Sequence, residues 1–104
     1  MSREHLPNRR QNQTLEFERD GIGIRLTLGF RENGEIGELF LNSGRSDSML
    51  DVLLSDAAII ASLALQFGVP LRQIVHAIKR DHLGVASSPI GAALDRICPP
   101  EVPK

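Results

Sequence analysis

The sequence predicts a small α+β domain, a βββααα two-layer sandwich in which a three-stranded antiparallel meander is followed by three helices packed on one face of the sheet. Three observations predict it. The first part of the chain alternates apolar and polar residues between turn signals, and the second part has apolar residues at helical spacing. The chain of 104 residues is long enough for one domain and too short for two.

The predicted sheet consists of three strands joined by tight turns. Asp20-Gly21 and Asn33-Gly34 are hairpin turn signals that separate the alternating runs. The alternation slips near Gly37, which predicts a β-bulge in the third strand. The strands are expected around Leu15 and Phe17, over 22–29 and over about 35–42.

The helical pattern begins after Gly44. Ser48 and Asp51 have the spacing of a capping box, and Gly68 ends the apolar periodicity that follows. Apolar residues cover almost the whole circumference of this first helix, so we expect it to be buried on several sides at the centre of the fold. The residues that widen its apolar face are Val52, Ile59, Leu63 and Leu65.

Two shorter helices complete the predicted domain. The second begins at Pro70 and extends to about His82, because Gly84 interrupts the pattern there. The third begins at Ser88-Pro89. Its inward residues are expected to be Ile90, Ala93, Leu94 and Ile97.

The ends of the chain are expected to lie outside the domain. Residues 1–13 are polar and are interpreted as a mobile arm. Residues 14–98 form the single domain. Residues 99–104 form an extended tail because they contain Pro99, Pro100 and Pro103.

Composition excludes several classes of function. The net charge is -1 and the chain has no Trp or Tyr, so nucleic acid is an unexpected partner. A single cysteine, Cys98, excludes an internal disulfide and a cysteine-rich zinc site, and no metal site is expected. No apolar run resembles a signal peptide or reaches the length of a membrane span, so we expect no membrane partner and a cytoplasmic location.

One candidate site is the segment that links the third strand to the first helix. Glycine, hydroxyl groups and a cation at a helix start suit an anion such as phosphate or a nucleotide. The alternative is that the serines cap the helix and the glycine permits the turn. The candidate anion-binding or nucleotide-binding residues are Asn42, Gly44, Arg45, Ser46 and Ser48.

A second candidate site is a basic stripe on the second helix. Arg72, His76 and Arg80 are spaced four residues apart, and Lys79 lies beside them. The stripe could contact an acidic or phosphate-rich partner, and the alternative is a helix face that is simply solvated.

Two segments resemble a known family. Glu-Leu-Phe-Leu-Asn-Ser-Gly-Arg-Ser at 38–46 is similar to the "E-V-F-I-N-x-G-K-S-G" segment of the TSCPD domain. Ile-Ala-Ser-Leu-Ala-Leu-Gln-Phe-Gly-Val-Pro at 60–70, followed by Ile74-Val75, is similar to that domain's "I-S-L-A-L-x-x-G-V-P…I-V". The TSCPD domain lies at the C-terminus of adenosylcobalamin-dependent ribonucleotide reductases and also occurs alone.

The resemblance implies an accessory role, or a free-standing relative whose role has drifted. The family's Thr-Ser-Cys-Pro-Asp signature falls on 86–90, where Ser88 stands at the position of the cysteine. The family's reaction needs a thiyl-forming cysteine and a reducing cysteine pair, whereas this chain has Cys98 alone. We therefore expect no catalytic residue and no cofactor in this chain, with adenosylcobalamin only on the catalytic chain of the family.

The leading interpretation is a non-catalytic accessory or interaction module linked to deoxyribonucleotide synthesis, whose partner is a ribonucleotide reductase catalytic chain. The partner surface would be an outer strand of the meander or the basic stripe. One alternative is a small phosphate- or nucleotide-binding module, and another is a nucleic-acid-associated protein. Self-association into a homo-oligomer through the strand edge is a further alternative.

Overall fold

The structure, a computed structural model, describes residues 2–44 and 48–99. Three antiparallel strands precede three helices, so the predicted α+β fold is confirmed. The strands are β1 (Asn12–Arg19), β2 (Ile22–Phe30) and β3 (Ile36–Ser43), and the helices are α1 (Met49–Gln66), α2 (Leu71–Ala77) and α3 (Pro89–Ile97).

The sheet has the order β1-β2-β3, so β2 is central and the other two strands are its edges. Asp20 and Gly21 have φ angles of 53° and 79°, the left-handed backbone that a two-residue hairpin turn requires. The register shifts after the pair Gly29 and Glu38, which leaves Gly37 as an extra residue in β3. The predicted bulge is confirmed.

The segment before β1 contacts the folded domain at several points. The Glu4 backbone N–H donates to the Gln66 carbonyl at 2.8 Å. The Glu4 carboxylate lies 3.0 Å from the Arg31 guanidinium. Arg10 pairs with Glu38, which is nearly buried in β3. These contacts place part of the predicted arm against β3 and the end of α1.

The core lies between one face of the sheet and the helices. Leu26 at the centre of β2 pairs with Leu15 of β1 and with Leu41 of β3, and this row of leucines crosses all three strands. Each fully buried side chain of this size contributes about 1.5–3 kcal/mol to folding. The helices contribute Leu54, Ala58, Ala61, Leu65, Val75, Ala93 and Leu94.

The expectation that the first helix is buried on several sides is wrong. α1 buries one face, which includes Leu54, Ala58 and Leu65, against the sheet. On the opposite face Ile59 and Ile60 are exposed. The reason is that α2 and α3 are short and none of the elements described within 2–44 and 48–99 covers that face. Val52 and Leu63 are likewise exposed, whereas Leu65 is buried as expected.

The predicted extension of the second helix to His82 is also wrong, since α2 ends at Ala77. A local turn competes with the helix at this point. The Asp81 carboxylate accepts the backbone N–H groups of Leu83 and Val85 at 2.8 and 3.0 Å. Such side-chain bonds stabilise a turn in place of further helical turns.

A glycine in α3 allows this segment to pack closely. A Cβ atom on Gly91 would lie 2.8 Å from Cδ1 of Ile78 and 2.9 Å from Cβ of Ala86. We expect Gly91→Ala to lower the free energy of unfolding by about 1–3 kcal/mol through overpacking, although alanine has the higher helix propensity. Gly23→Ala is the control, because nothing lies within 4 Å of its added Cβ. Urea unfolding that shows equal stability for both variants would contradict this packing.

Candidate functional site

The predicted anion-binding loop joins β3 to α1. Asn42 lies on the exposed side of β3, Gly44 follows the strand, and Ser48 is the N-cap of α1. Arg45 and Ser46 lie outside the described residues. The structure therefore places Asn42, Gly44 and Ser48 on the two sides of the loop.

The described ends of the loop have the geometry of helix capping. The Ser48 hydroxyl accepts the Asp51 backbone N–H at 3.1 Å. The Asp51 carboxylate accepts the Ser43 backbone N–H at 2.8 Å. A carboxylate near a helix N-terminus also interacts favourably with the helix dipole. The Asp51 carboxylate thus already accepts the Ser43 N–H, which is one of the donors that an external anion would use.

A shallow groove of about 510 Å³ lies beside the loop. It is lined by Glu16, Arg25 and Asn42, which are neighbours across the three strands, and by Gly44. The Arg25 guanidinium is 2.9 Å from the Glu16 carboxylate, and both side chains are exposed. Small-molecule sites have volumes of roughly 300–1,000 Å³. The groove can accommodate a small polar molecule. Arg25, the cation that lines it, is already paired with the Glu16 carboxylate.

Polar side chains of α1 cover the outer edge of β3. The Ser62 hydroxyl accepts the Leu39 N–H at 2.8 Å and donates to the Leu39 carbonyl at 3.1 Å. The Gln66 amide donates to the Gly37 carbonyl at 3.1 Å. An edge strand whose backbone groups are bonded in this way is a poor template for another strand. This polar row consists of Asp51, Ser55, Ser62 and Gln66.

Sequence reasoning missed the polar row, although its spacing of four, seven and four residues is a signal for one helix face. The row affects the expectation that an outer strand accepts a partner strand. Because β3 is covered, β1 is the edge of the sheet that remains for strand addition.

The predicted basic stripe is not assembled as one helix face. Arg72 and His76 lie exposed on α2, while Lys79 and Arg80 follow the helix. The Arg80 guanidinium donates two hydrogen bonds of 2.7 Å to the Asp95 carboxylate on α3. The hydrogen bond to Asp95 raises the pKa of Arg80 above its ordinary value. Arg80 therefore holds α3 against the turn after α2.

The segment at the family signature position stabilises the start of α3. The Ser88 hydroxyl accepts the Gly91 backbone N–H at 3.1 Å and caps the helix. Arg19 at the end of β1 donates to the carbonyl groups of Ala86 and Ser88 at 2.6 and 3.1 Å. These contacts tie β1 to α3 and give Ser88 a structural role.

The remaining candidates for metal-ligating or reactive groups are the cysteine and the histidines. Cys98 is the C-cap residue of α3 and is half-buried. Within residues 2–44 and 48–99, no group of three or more His, Cys, Asp or Glu side chains could hold a metal ion. One helix of this part of the chain, α1, is long and apolar enough to cross a membrane by length and composition, and it packs on the sheet of the folded domain.

Comparison with known families decides what kind of domain this is. The family model of the TSCPD domain matches residues 2–99. The chain belongs to the TSCPD domain family. The match confirms the resemblance seen in the two sequence segments, and it includes the segment before β1 that contacts the end of α1.

This TSCPD domain is similar to segments of much longer enzymes. It is 39% identical over 75 residues to the vitamin B12-dependent ribonucleotide reductase of Agrobacterium fabrum. The matched residues are 72% of this chain and 6% of that enzyme. The corresponding enzyme of Bradyrhizobium diazoefficiens is 35% identical over 75 residues, with the same coverage. That of Rhodopirellula baltica is 34% identical over 74 residues, 71% of this chain and 7% of the enzyme. No solved structure matches the chain.

Anion binding by the loop between β3 and α1 stays a prediction. Titration with inorganic phosphate and with ATP should shift the backbone amide resonances of Gly44 and Ser48 in the isotope-labelled protein. Arg45→Ala should weaken the affinity about tenfold through loss of a charge-assisted hydrogen bond, whereas Arg9→Ala, at an exposed arginine outside the groove, is the matched control. Resonance shifts confined to other regions, together with unchanged affinity in Arg45→Ala, would exclude the loop as a site.

Proposed function

We propose that this TSCPD domain is an accessory module of vitamin B12-dependent ribonucleotide reduction that acts by binding a reductase catalytic chain. The similarity to segments of three such reductases carries the proposal. In those relatives the matching segment is part of the same polypeptide as the rest of the enzyme. The related segment of this chain would make equivalent contacts with a catalytic chain.

The chemistry of the side chains supports an accessory role. Reduction of a ribonucleotide by this family needs a thiyl-forming cysteine and a reducing cysteine pair, and the chain supplies only Cys98. Adenosylcobalamin would therefore act on the catalytic chain, in the cytoplasm, while this domain contributes contacts.

The electrostatics favour a protein partner over nucleic acid. The net charge of -1 supplies no general attraction for a phosphate backbone. Arg80 is engaged with Asp95, and His76 and Lys79 are exposed members of the predicted stripe. Such peripheral charges accelerate encounter with an acidic protein surface more than they add affinity.

A reconstitution experiment tests the accessory role. The purified chain, supplied with ribonucleotides, adenosylcobalamin and a thiol reductant, should show no turnover because one cysteine cannot provide three thiol functions. Mixed with a purified vitamin B12-dependent reductase catalytic chain, it should form a complex that sediments faster than either component.

Cys98→Ser is the control variant in this experiment, and it should bind the catalytic chain as the unaltered protein does. Turnover by the purified chain that disappears in Cys98→Ser would show that the domain is itself an enzyme. Failure to form a complex at any salt concentration would refute the accessory role.

A further inference from the structure

Helix α1 has a second apolar face, on the side opposite the sheet. Its members recur at helical intervals, and each has at least 37% of its surface exposed. Ile60, in the middle of this face, is 68% exposed. We call this face the outward stripe. It consists of Met49, Val52, Leu53, Ile59, Ile60 and Leu63, with Phe67 just beyond the helix.

The outward stripe is large enough to form an interface. Its side chains expose on the order of 700 Å² in total, close to the roughly 800 Å² that each partner contributes to an interface of standard size. A monomeric protein rarely exposes a continuous apolar patch above about 300–600 Å² unless the patch is functional. The stripe thus has the area of a binding surface for another protein.

The stripe cannot be buried by rotation of α1 within the domain. Ser62 is 9% exposed and holds both backbone groups of Leu39, and Gln66 holds the Gly37 carbonyl. A rotation that turned Ile60 toward the sheet would break these bonds and leave buried polar groups without partners, which costs about 1–3 kcal/mol for each group. The polar row therefore fixes the stripe on the outside.

The charge on the stripe indicates the chemistry of its occupant. α1 contains two acidic residues, Asp51 and Asp56, and no Lys or Arg. Asp51 is bound to Ser43 at the helix start. Asp56 lies exposed near the middle of the stripe, between Leu53 and Ile60. A partner surface that is apolar and has one cation opposite Asp56 would complement both the apolar side chains of the stripe and its negative charge.

A second copy and a membrane are poorer occupants. Two stripes packed together would bury two Asp56 carboxylates in an apolar interface to which neither α1 contributes a cation, and unpaired buried charges are strongly destabilising. Membrane-binding amphipathic helices carry Lys and Arg beside their apolar face, whereas α1 has none. A carboxylate in the middle of the apolar face also opposes insertion into lipid.

We infer that the outward stripe is the face by which this TSCPD domain docks onto the reductase catalytic chain, an inference that rests on the proposed function. The occupant is an amphipathic helix of that chain with apolar residues at helical spacing. A Lys or Arg of the helix faces Asp56. Two helices pack by inserting the side-chain ridges of one into the grooves of the other, which suits the long regular face of α1.

Calorimetric titration of the full chain against a purified vitamin B12-dependent reductase catalytic chain tests the inference. Ile60→Glu should raise the Kd about tenfold or more, because it places a charge in the middle of the apolar interface. Asp56→Lys should weaken binding similarly by opposing the partner's cation, whereas Asp56→Glu should retain affinity. Phe40→Glu is the matched control, since Phe40 is 50% exposed on β3, outside the stripe. Circular dichroism melting verifies that each variant is folded.

The outcomes separate this inference from the proposed function. If the unaltered chain binds and neither Ile60→Glu nor Asp56→Lys weakens it, the stripe is not the interface and the proposed function stands. If the unaltered chain does not bind, the proposed function fails and the inference falls with it.

Two measurements on the free protein complete the test. Sedimentation should show a monomer, and a dimer abolished by Ile60→Glu would overturn the inference in favour of self-association. Vesicles of phosphatidylcholine and phosphatidylglycerol should not bind the protein, and binding abolished by Ile60→Glu would assign the stripe to membranes.

Discussion

The structure depends on the hydrogen bonds between the polar row of α1 and the outer edge of β3. Ser62 bonds both backbone groups of Leu39, and Gln66 and Asp51 bond the strand near its two ends. A buried backbone group without a partner is costly, so the edge strand and the helix stabilise each other in one rotational setting. The same bonds close β3 to strand addition and turn the larger apolar side chains of α1 outward.

This arrangement explains why the domain has its most distinctive surface on a helix. A single sheet face and two short helices can bury only one side of α1, which is filled by residues such as Leu54 and Ala58. The side chains on the other face, including Leu53 and Ile60, gain little from folding of this domain alone. In the relatives, the matching segment is only 6% of a long reductase. An exposed apolar helix face on such a segment is suited to contact with the remainder of the enzyme.

The sequence predicts those features that depend on neighbouring residues. The capping pair Ser48 and Asp51 starts α1, and the slip in alternation marks the bulge at Gly37. Contacts between distant residues have no local pattern. Arg80 and Asp95 are 15 residues apart, so helical spacing alone predicts Arg80 as part of a basic stripe and contains no sign of its partner. Apolar periodicity likewise shows that a face is apolar and leaves open whether its cover belongs to the same chain.

Comparing the unfolding free energies of Ser62→Ala and Ile60→Ser tests this account most directly. Removing the Ser62 hydroxyl leaves the Leu39 backbone groups without a partner and should cost about 1–3 kcal/mol. Ile60→Ser removes a larger apolar side chain from an exposed position, and it should change stability by only about 0.5 kcal/mol. The account predicts that, in urea unfolding, Ser62→Ala lowers the free energy of unfolding more than Ile60→Ser does. The opposite order would show that α1 is buried on the face we place outside.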